Sequence, residues 1–363
     1  MDITLPDYDG GSLVNLMAEL EHRLLGSARS PRLQPELGAL IPKASTYVLC
    51  LFDGLGAGQL DHRAAEPLRD SMQATIDCAF PATTTVSLAV LATGLPPSQH
   101  GLLGYQSWLP ELEVVANTIH WTTLWGEALD YDLESFLPKP NLAERLGAKG
   151  IEVMTIQPGN FLETNLTKVL FRGCRFEGIY SIGEWVDAVV QLAAQPNRLI
   201  VAYLPHVDVA AHISGQRSDD YVTALSAIAT AWESMCNRLP TGAVAVGTAD
   251  HGHMDFPPDR QFKIPREDHE GRIFFGDGRA MYVKGDGASL AQRIPATWIP
   301  VEEMIHWWGP QPRHPQLSDR LPDGVLIADA DVLLLHRFSD TRMVGNHGAL
   351  TDAERLIPLL VHG

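Results

Sequence analysis

Short apolar runs alternate with amphipathic stretches along most of the chain. The run TYVLCLF at Thr46–Phe52, closed by Asp53 and Gly54, predicts a buried strand, being short, apolar and stopped by turn formers. Similar runs predict strands at 151–156, 198–204, 243–248, 279–283, 325–335 and 356–361. Helical patterns lie between them, most clearly at 218–239, where Tyr221, Val222, Leu225, Ile228, Ala229, Trp232, Met235 and Cys236 fall on one face. Ser218 and Asp219 supply a cap and an acidic first turn for that helix. Strands alternating with helices imply a largely parallel sheet covered on both faces. From 256 to 324 the rhythm breaks into a stretch rich in Pro, Gly and charge that still carries Ile, Phe, Trp and Met. It predicts an inserted lid rather than a linker, leaving 1–255 and 325–363 as the main α/β domain.

Composition narrows the class. The chain has 363 residues, 45% hydrophobic and 20% charged, which excludes disorder or a coiled coil as a whole-chain description. With 27 basic against 44 acidic residues the net charge is −17, which disfavours binding to a nucleic acid duplex. The start, MDITLPDYDG, has neither a basic nor an apolar leader segment, and no run reaches the ~18 apolar residues of a membrane span. Cys50, Cys78, Cys174 and Cys236 are scattered, without a CxxC pair, and read as reduced thiols. The expectation is a cytoplasmic protein with no membrane partner.

Ligands of open parallel sheets gather at the carboxyl ends of the strands, and there this chain puts aspartate and histidine repeatedly. Asp53 ends the first run, Asp208 and His212 follow the run through Leu204, Asp250, His251 and His253 follow the run through Thr248, and His347 lies near the end. One aspartate after a strand is most often a turn or cap residue, and a lone histidine such as His120 or His306 is most often structural. The set together suits Zn²⁺ or a similar divalent ion, with enough ligands for two. Between the first and second groups, Thr83, Thr84 and Thr85 open a short apolar helix that stops at Gly94. A hydroxyl at a helix N-terminus is favoured as an anion or beside a phosphate, and a neighbouring metal activates it further. The plainer reading of these threonines is that they cap the helix.

Together these residues resemble the alkaline phosphatase superfamily, most closely its nucleotide pyrophosphatase/phosphodiesterase-like branch. The matching pieces are VLCLFDGLG, FPATTT, LATGLPPSQHGLLGY, Asp208 with His212, Asp250-His251-Gly252 and His347-Gly348, in the family's order. The resemblance implies a three-layer α/β/α sandwich with a mostly parallel central sheet and a small inserted lid. It also implies two divalent ions, zinc or else manganese. Asp208, His212 and His347 would hold one; Asp53, Asp250 and His251 would hold the other, joined by the nucleophile oxygen. In the family the nucleophile lies nine residues before the threonine of the closing Thr-Gly, here Thr93, which points to Thr84, with Thr83 and Thr85 the neighbouring registers. The implied reaction is hydrolysis of a small phosphate ester, a phosphodiester or nucleotide pyrophosphate, through a phospho-threonine intermediate.

The branch carries an asparagine after its His-Gly that donates to a phosphate oxygen, whereas His100-Gly101 is followed here by LLGYQ. Asn117 and Tyr105 are therefore the substrate-binding candidates, with Tyr105, Trp108 and Phe161 as aromatics that could stack on a base. A phosphomonoesterase or phosphonate hydrolase on the same metals would need a further cation. No arginine lies within ten residues of Thr84, which leaves Arg172, Arg279, or an ion at His253 and Asp255. Two other readings are a non-catalytic protein stapled by metals and a dinuclear peptidase; the second leaves Thr84 without a role.

Overall fold

The computed structural model describes residues 3–132 and 136–363. In chain order the strands are β1 Thr46–Phe52, β2 Met72–Asp77, β3 Gln106–Leu109, β4 Val114–Asn117, β5 Thr122–Thr123, β6 Glu152–Pro158, β7 Arg175–Ile179, β8 Arg198–Leu204, β9 Ala243–Thr248, β10 Met254–Asp255, β11 Gln261–Lys263, β12 Ile273–Gly276, β13 Ala280–Lys284, β14 Ala296–Pro300, β15 Gly324–Ala328, β16 Leu333–Leu335, β17 Gly345–Asn346 and β18 Leu356–His362. Seven of them form the central sheet in the order β2-β18-β9-β1-β8-β6-β7. From β9 to β7 every pairing is parallel, while β18 runs antiparallel to both β9 and β2. β1 is buried along its whole length between β8 and β9, as expected of a central strand that reads as one apolar run.

Helices cover both faces. The helix Asp219–Cys236 begins where Ser218 Oγ accepts the Tyr221 N–H at 3.1 Å, and it packs beside the helix Ile182–Ala193. Their Trp232 and Trp185 rings close on Phe52 of β1, with centroids 6.1 and 6.3 Å away. The helices Leu13–Leu25, Thr84–Thr93 and Leu142–Gly147 pack among themselves as the other layer. Two strands escape a reading of apolar runs, β2 (MQATID) and β7 (RFEGI). Both are edge strands with half-exposed positions, so nothing selects continuous apolar residues there.

A second, antiparallel sheet has the order β14-β15-β13-β12-β3-β4-β5. It takes strands from outside 256–324, namely β3 to β5 and all of β15 after Gly324, so the expected lid segment is one part of a larger layer. β3 and β4 are four residues each and β5 two, too short to show a strand period. The expected strand 325–335 divides for a related reason: Asp329-Ala-Asp331 turns the chain, so that β15 joins this sheet while β16 pairs in parallel with β11. Buried Tyr282 ties the layer down, donating to Leu103 O at 2.9 Å and accepting from Trp308 Nε1 at 3.0 Å. All four cysteines are free thiols. Among the described residues no helix is long and apolar enough to cross a membrane.

Candidate active site

β9, β1 and β8 are adjacent and parallel, so their carboxyl ends open on one patch. Asp53 follows β1. Asp208 and His212 stand one turn apart on the helix His206–Ser214 that follows β8, and Asp250 and His251 follow β9. His347 arrives from the far end of the sequence on the segment after β17, which β10 holds by antiparallel pairing. The turn after β1 needs a glycine. Gly54 has φ +71°, and a Cβ there would lie 2.9 Å from Asp208 Cα; its N–H donates to Asp250 Oδ1 at 3.0 Å. Gly54→Ala is expected to cost about 1–3 kcal/mol of stability and to displace Asp208, seen as a lower urea midpoint together with weaker metal binding.

The side chains meet in two overlapping groups. In the first, Asp208, His212, His253 and His347 offer ligand atoms that all lie within 4.8 Å of one another. Asp208 Oδ1 is 3.0 Å from His253 Nε2, 3.3 Å from His212 Nε2 and 3.9 Å from His347 Nε2. In the second, Asp53, Asp208 and His251 converge in the same way. There His251 Nε2 is 3.6 Å from Asp53 Oδ1 and 3.5 Å from Asp250 Oδ2. The His251 and His347 rings stack at 3.6 Å and join the two groups.

Three features fit these groups to divalent cations. His212, His347 and His251 each face a backbone carbonyl with Nδ1, those of Gly345 and Ala82 at 2.7 Å and of Gly252 at 3.0 Å. A carbonyl only accepts, so Nδ1 carries the proton and the Nε2 lone pair faces inward, the ligating tautomer. Asp53 Oδ1 and Asp250 Oδ2 are buried without a hydrogen-bond partner, although Tyr203 OH donates to the other oxygen of Asp53, and Gly54 and His251 N–H to that of Asp250. Three carboxylates also crowd together with no lysine or arginine partner among the described residues. Burial, with Asp250 and Asp208 alongside, pushes the Asp53 carboxyl well above the usual range. Burial acts the same way on Asp208, but His212, His253 and His347 outweigh it and hold that carboxyl well below. Burial and the three neighbouring histidines drive His347 well below its ordinary value, so it stays neutral.

The threonine triplet separates cleanly. Thr83 Oγ1 donates to Asp277 Oδ1 at 3.1 Å, and Thr85 Oγ1 to Gly104 O at 3.4 Å. Thr84, the first residue of its helix, puts Oγ1 3.1 Å from His251 Nε2. Of the three hydroxyls it is the one turned to the ligand groups, at the end of a helix dipole that favours an anion.

A cavity of about 290 Å³ opens beside Thr84, Asp208, His212 and His347. A larger groove, about 1300 Å³, runs from Pro6 to Pro315 and holds none of these residues. Tyr105 lines the smaller cavity. Asn117 does not: its Oδ1 accepts the Ile119 and His120 N–H groups, and its Nδ2 donates to Tyr105 OH at 2.9 Å. The asparagine expected at the substrate is thus the cap of a turn that supports Tyr105. Trp108 lies under Lys284 and Phe161 beside Tyr203, both off the cavity wall. Arg172 is bound to Glu144 and Arg279 to Glu354, and Asp255 accepts from the Gln216 N–H at 3.0 Å, so none of these supplies a cation to the cavity. Gln106, Asp277 and His336 also line the wall, and no motif in the sequence points to them. Gln106 Oε1 lies 3.0 Å from His336 Nε2, and burial pushes the Asp277 carboxyl up to about 7. Nothing local marks them, since strands remote in sequence bring them together.

The family model for type I phosphodiesterase / nucleotide pyrophosphatase matches residues 47–350. The chain belongs to this family. It is thereby a member of the alkaline phosphatase superfamily, and its mostly parallel α/β core is that of the group. Solved structures of ectonucleotide pyrophosphatase/phosphodiesterase 5 share the fold. The mouse protein matches with TM-score 0.69 at 18% identity, covering 87% of this chain and 88% of that one. The human protein matches with TM-score 0.67 at 17% identity, covering 87% of each. An inactive threonine-to-alanine variant of the mouse protein in complex with AMP matches with TM-score 0.67 at 18% identity, again over 87% of each. No curated protein matches the sequence. The type I phosphodiesterases are phosphoester hydrolases that depend on metal, and this member has Asp and His groups able to hold one.

Proposed function

We propose that this protein is a two-metal phosphodiesterase that acts through a phospho-threonine intermediate on Thr84. The observation that carries the reading is the Thr84 hydroxyl, 3.1 Å from His251 Nε2, where the two groups meet beside the unpartnered carboxylate oxygens of Asp53 and Asp250. Asp208, His212 and His347 would hold one divalent ion, zinc or manganese; Asp53, Asp250, His251 and Thr84 Oγ1 would hold the other. Such ions acidify a hydroxyl and neutralise charge on phosphate oxygens. Thr84 Oγ1 attacks phosphorus in line with the departing alcohol, and the helix N-terminus favours the oxygen in its anionic form. Water then attacks from the side the alcohol vacated and returns the threonine. Tyr105, held by Asn117, is available to donate a hydrogen bond to the bound ester. The mouse relative bound to AMP supports a nucleotide as one candidate substrate. The free thiols support a reducing compartment.

The test is hydrolysis of bis-p-nitrophenyl phosphate against p-nitrophenyl phosphate by zinc- or manganese-loaded protein. The diester should have the higher kcat/KM, because both arginines that might clamp a dianionic phosphate are engaged elsewhere. Preference for the monoester would make the protein a phosphatase instead.

A further inference from the structure

His347 sits on a segment with two anchors. Upstream, Asn346 of β17 pairs with Met254 of β10. Downstream, the Ala349 N–H donates to Glu354 Oε1 at 3.1 Å. Glu354, on the short helix Asp352–Arg355, is fully buried, as is Arg279 just before β13. The other oxygen of Glu354 accepts from Thr351 Oγ1 at 2.6 Å, and the Arg279 guanidinium spans both oxygens at 3.2 and 3.4 Å. The remaining Arg279 donors go to the turn between β15 and β16, to Asp329 O at 2.8 Å, Ala330 O at 3.3 Å and Val332 O. Each of the five guanidinium N–H groups therefore has an acceptor.

An apolar pair of similar volume would fill this space without the cost of desolvating two charges. It would not accept the Ala349 N–H, two residues after His347. Glu354 also reaches the other ligand group, but through its main chain. Its carbonyl accepts the Gly252 N–H, next to His251, at 2.8 Å. The fit is close at both places: a Cβ on Gly252 would collide with Ala353 O, and one on Gly348 would lie 2.6 Å from Asp277 Cβ.

We propose that Glu354 is the positioning residue of the Asp208, His212 and His347 site. By holding the Ala349 N–H it fixes His347 Nε2 against its two partners, while Arg279 keeps the carboxylate aimed at that segment. This rests on the two-metal reading above and adds to it a residue that touches neither ion nor substrate. The Asp53, Asp250 and His251 site leans on Glu354 only through a main-chain carbonyl, which every substitution keeps. Loss of the side chain must therefore be felt unequally by the two ions.

The test compares two double variants that both remove the buried charges and differ in one acceptor. Arg279→Met with Glu354→Gln keeps an oxygen for the Ala349 N–H; Arg279→Met with Glu354→Ala does not. Both lose the same contacts to the turn after β15, so a purely structural role predicts the same metal binding in the two. Zinc titration of metal-free protein, followed by calorimetry, should show one of two ions bound at least about tenfold more weakly in the alanine variant than in the glutamine variant, and the other bound alike in both. Repeating the comparison with His212→Ala added identifies the affected ion. That change weakens the Asp208 site by itself, so the difference between glutamine and alanine should disappear for the ion that remains. Equal affinities in the two double variants, a proportionate loss of both ions, or a difference that survives His212→Ala would overturn the proposal and leave the two-metal reading standing. Uptake of fewer than two ions by the parent protein would overturn the two-metal reading, and this proposal with it.

Discussion

Thr84→Ala is expected to lower kcat by about a thousandfold or more, while the protein still binds its divalent ions. Alanine removes the oxygen that faces His251 but leaves Asp53, Asp250 and His251 in position, since their contacts run through Gly54, Tyr203 and Gly252 rather than through the threonine. Thr84→Ser keeps a hydroxyl at the same place in the helix and should retain turnover within about tenfold of the parent. Metal analysis of the purified variants, together with acid-quench trapping of a phospho-threonine in the parent, reads the two effects separately. Near-full turnover in the alanine variant would sink the assignment. Thr83 and Thr85 would be poor replacements, because their hydroxyls are spent on Asp277 and Gly104.

Asp250→Asn should lose metal and activity together. One carboxylate oxygen of Asp250 accepts two backbone N–H groups, and the other lies 3.5 Å from His251 Nε2, at the edge of the second ligand group, without a hydrogen-bond partner. An asparagine that keeps the backbone bonds must turn its NH₂ towards the cluster, where a cation belongs. Metal affinity should fall at least about a hundredfold, measured by titration calorimetry. A second readout runs in the opposite direction. With the ions stripped by a chelator, the parent buries three carboxylates side by side, and the asparagine variant relieves part of that repulsion. Its metal-free Tm should therefore equal or exceed that of the metal-free parent, while the rise in Tm on adding zinc should vanish. A variant that still took up both ions with parental affinity would remove Asp250 from the site.

What the sequence made legible follows from where information is local. β1, β8 and β9 are buried on both faces, so each is written as an apolar run, and the polar residues that interrupt those runs mark the site. Asp53, Asp208, His212, Asp250 and His251 could be picked out for that reason. His347 stood out only as a late His-Gly, and its delivery depends on the short β10–β17 pairing. The cavity wall was opaque. Gln106, Asp277 and His336 come from the second sheet and its loops, whose short strands carry no period, and whose grouping arises from pairings between segments some 170 or more residues apart, such as β12 with β3. Asn117 misled because an asparagine suits a turn cap as well as it suits a phosphate. The fate of Thr83 and Thr85 rested on Asp277 and Gly104, which no local pattern connects to them.

The position of β18 bears on how the protein is made. It lies between β2 and β9, and β2 reaches the central sheet through β18 alone. On the ribosome, a chain that has not yet released residues 356–362 carries β9 with one bare edge and β2 with no neighbour in the sheet. Bare edges recruit strands from other chains. A product terminated before β18 is therefore expected to aggregate more readily than the full chain.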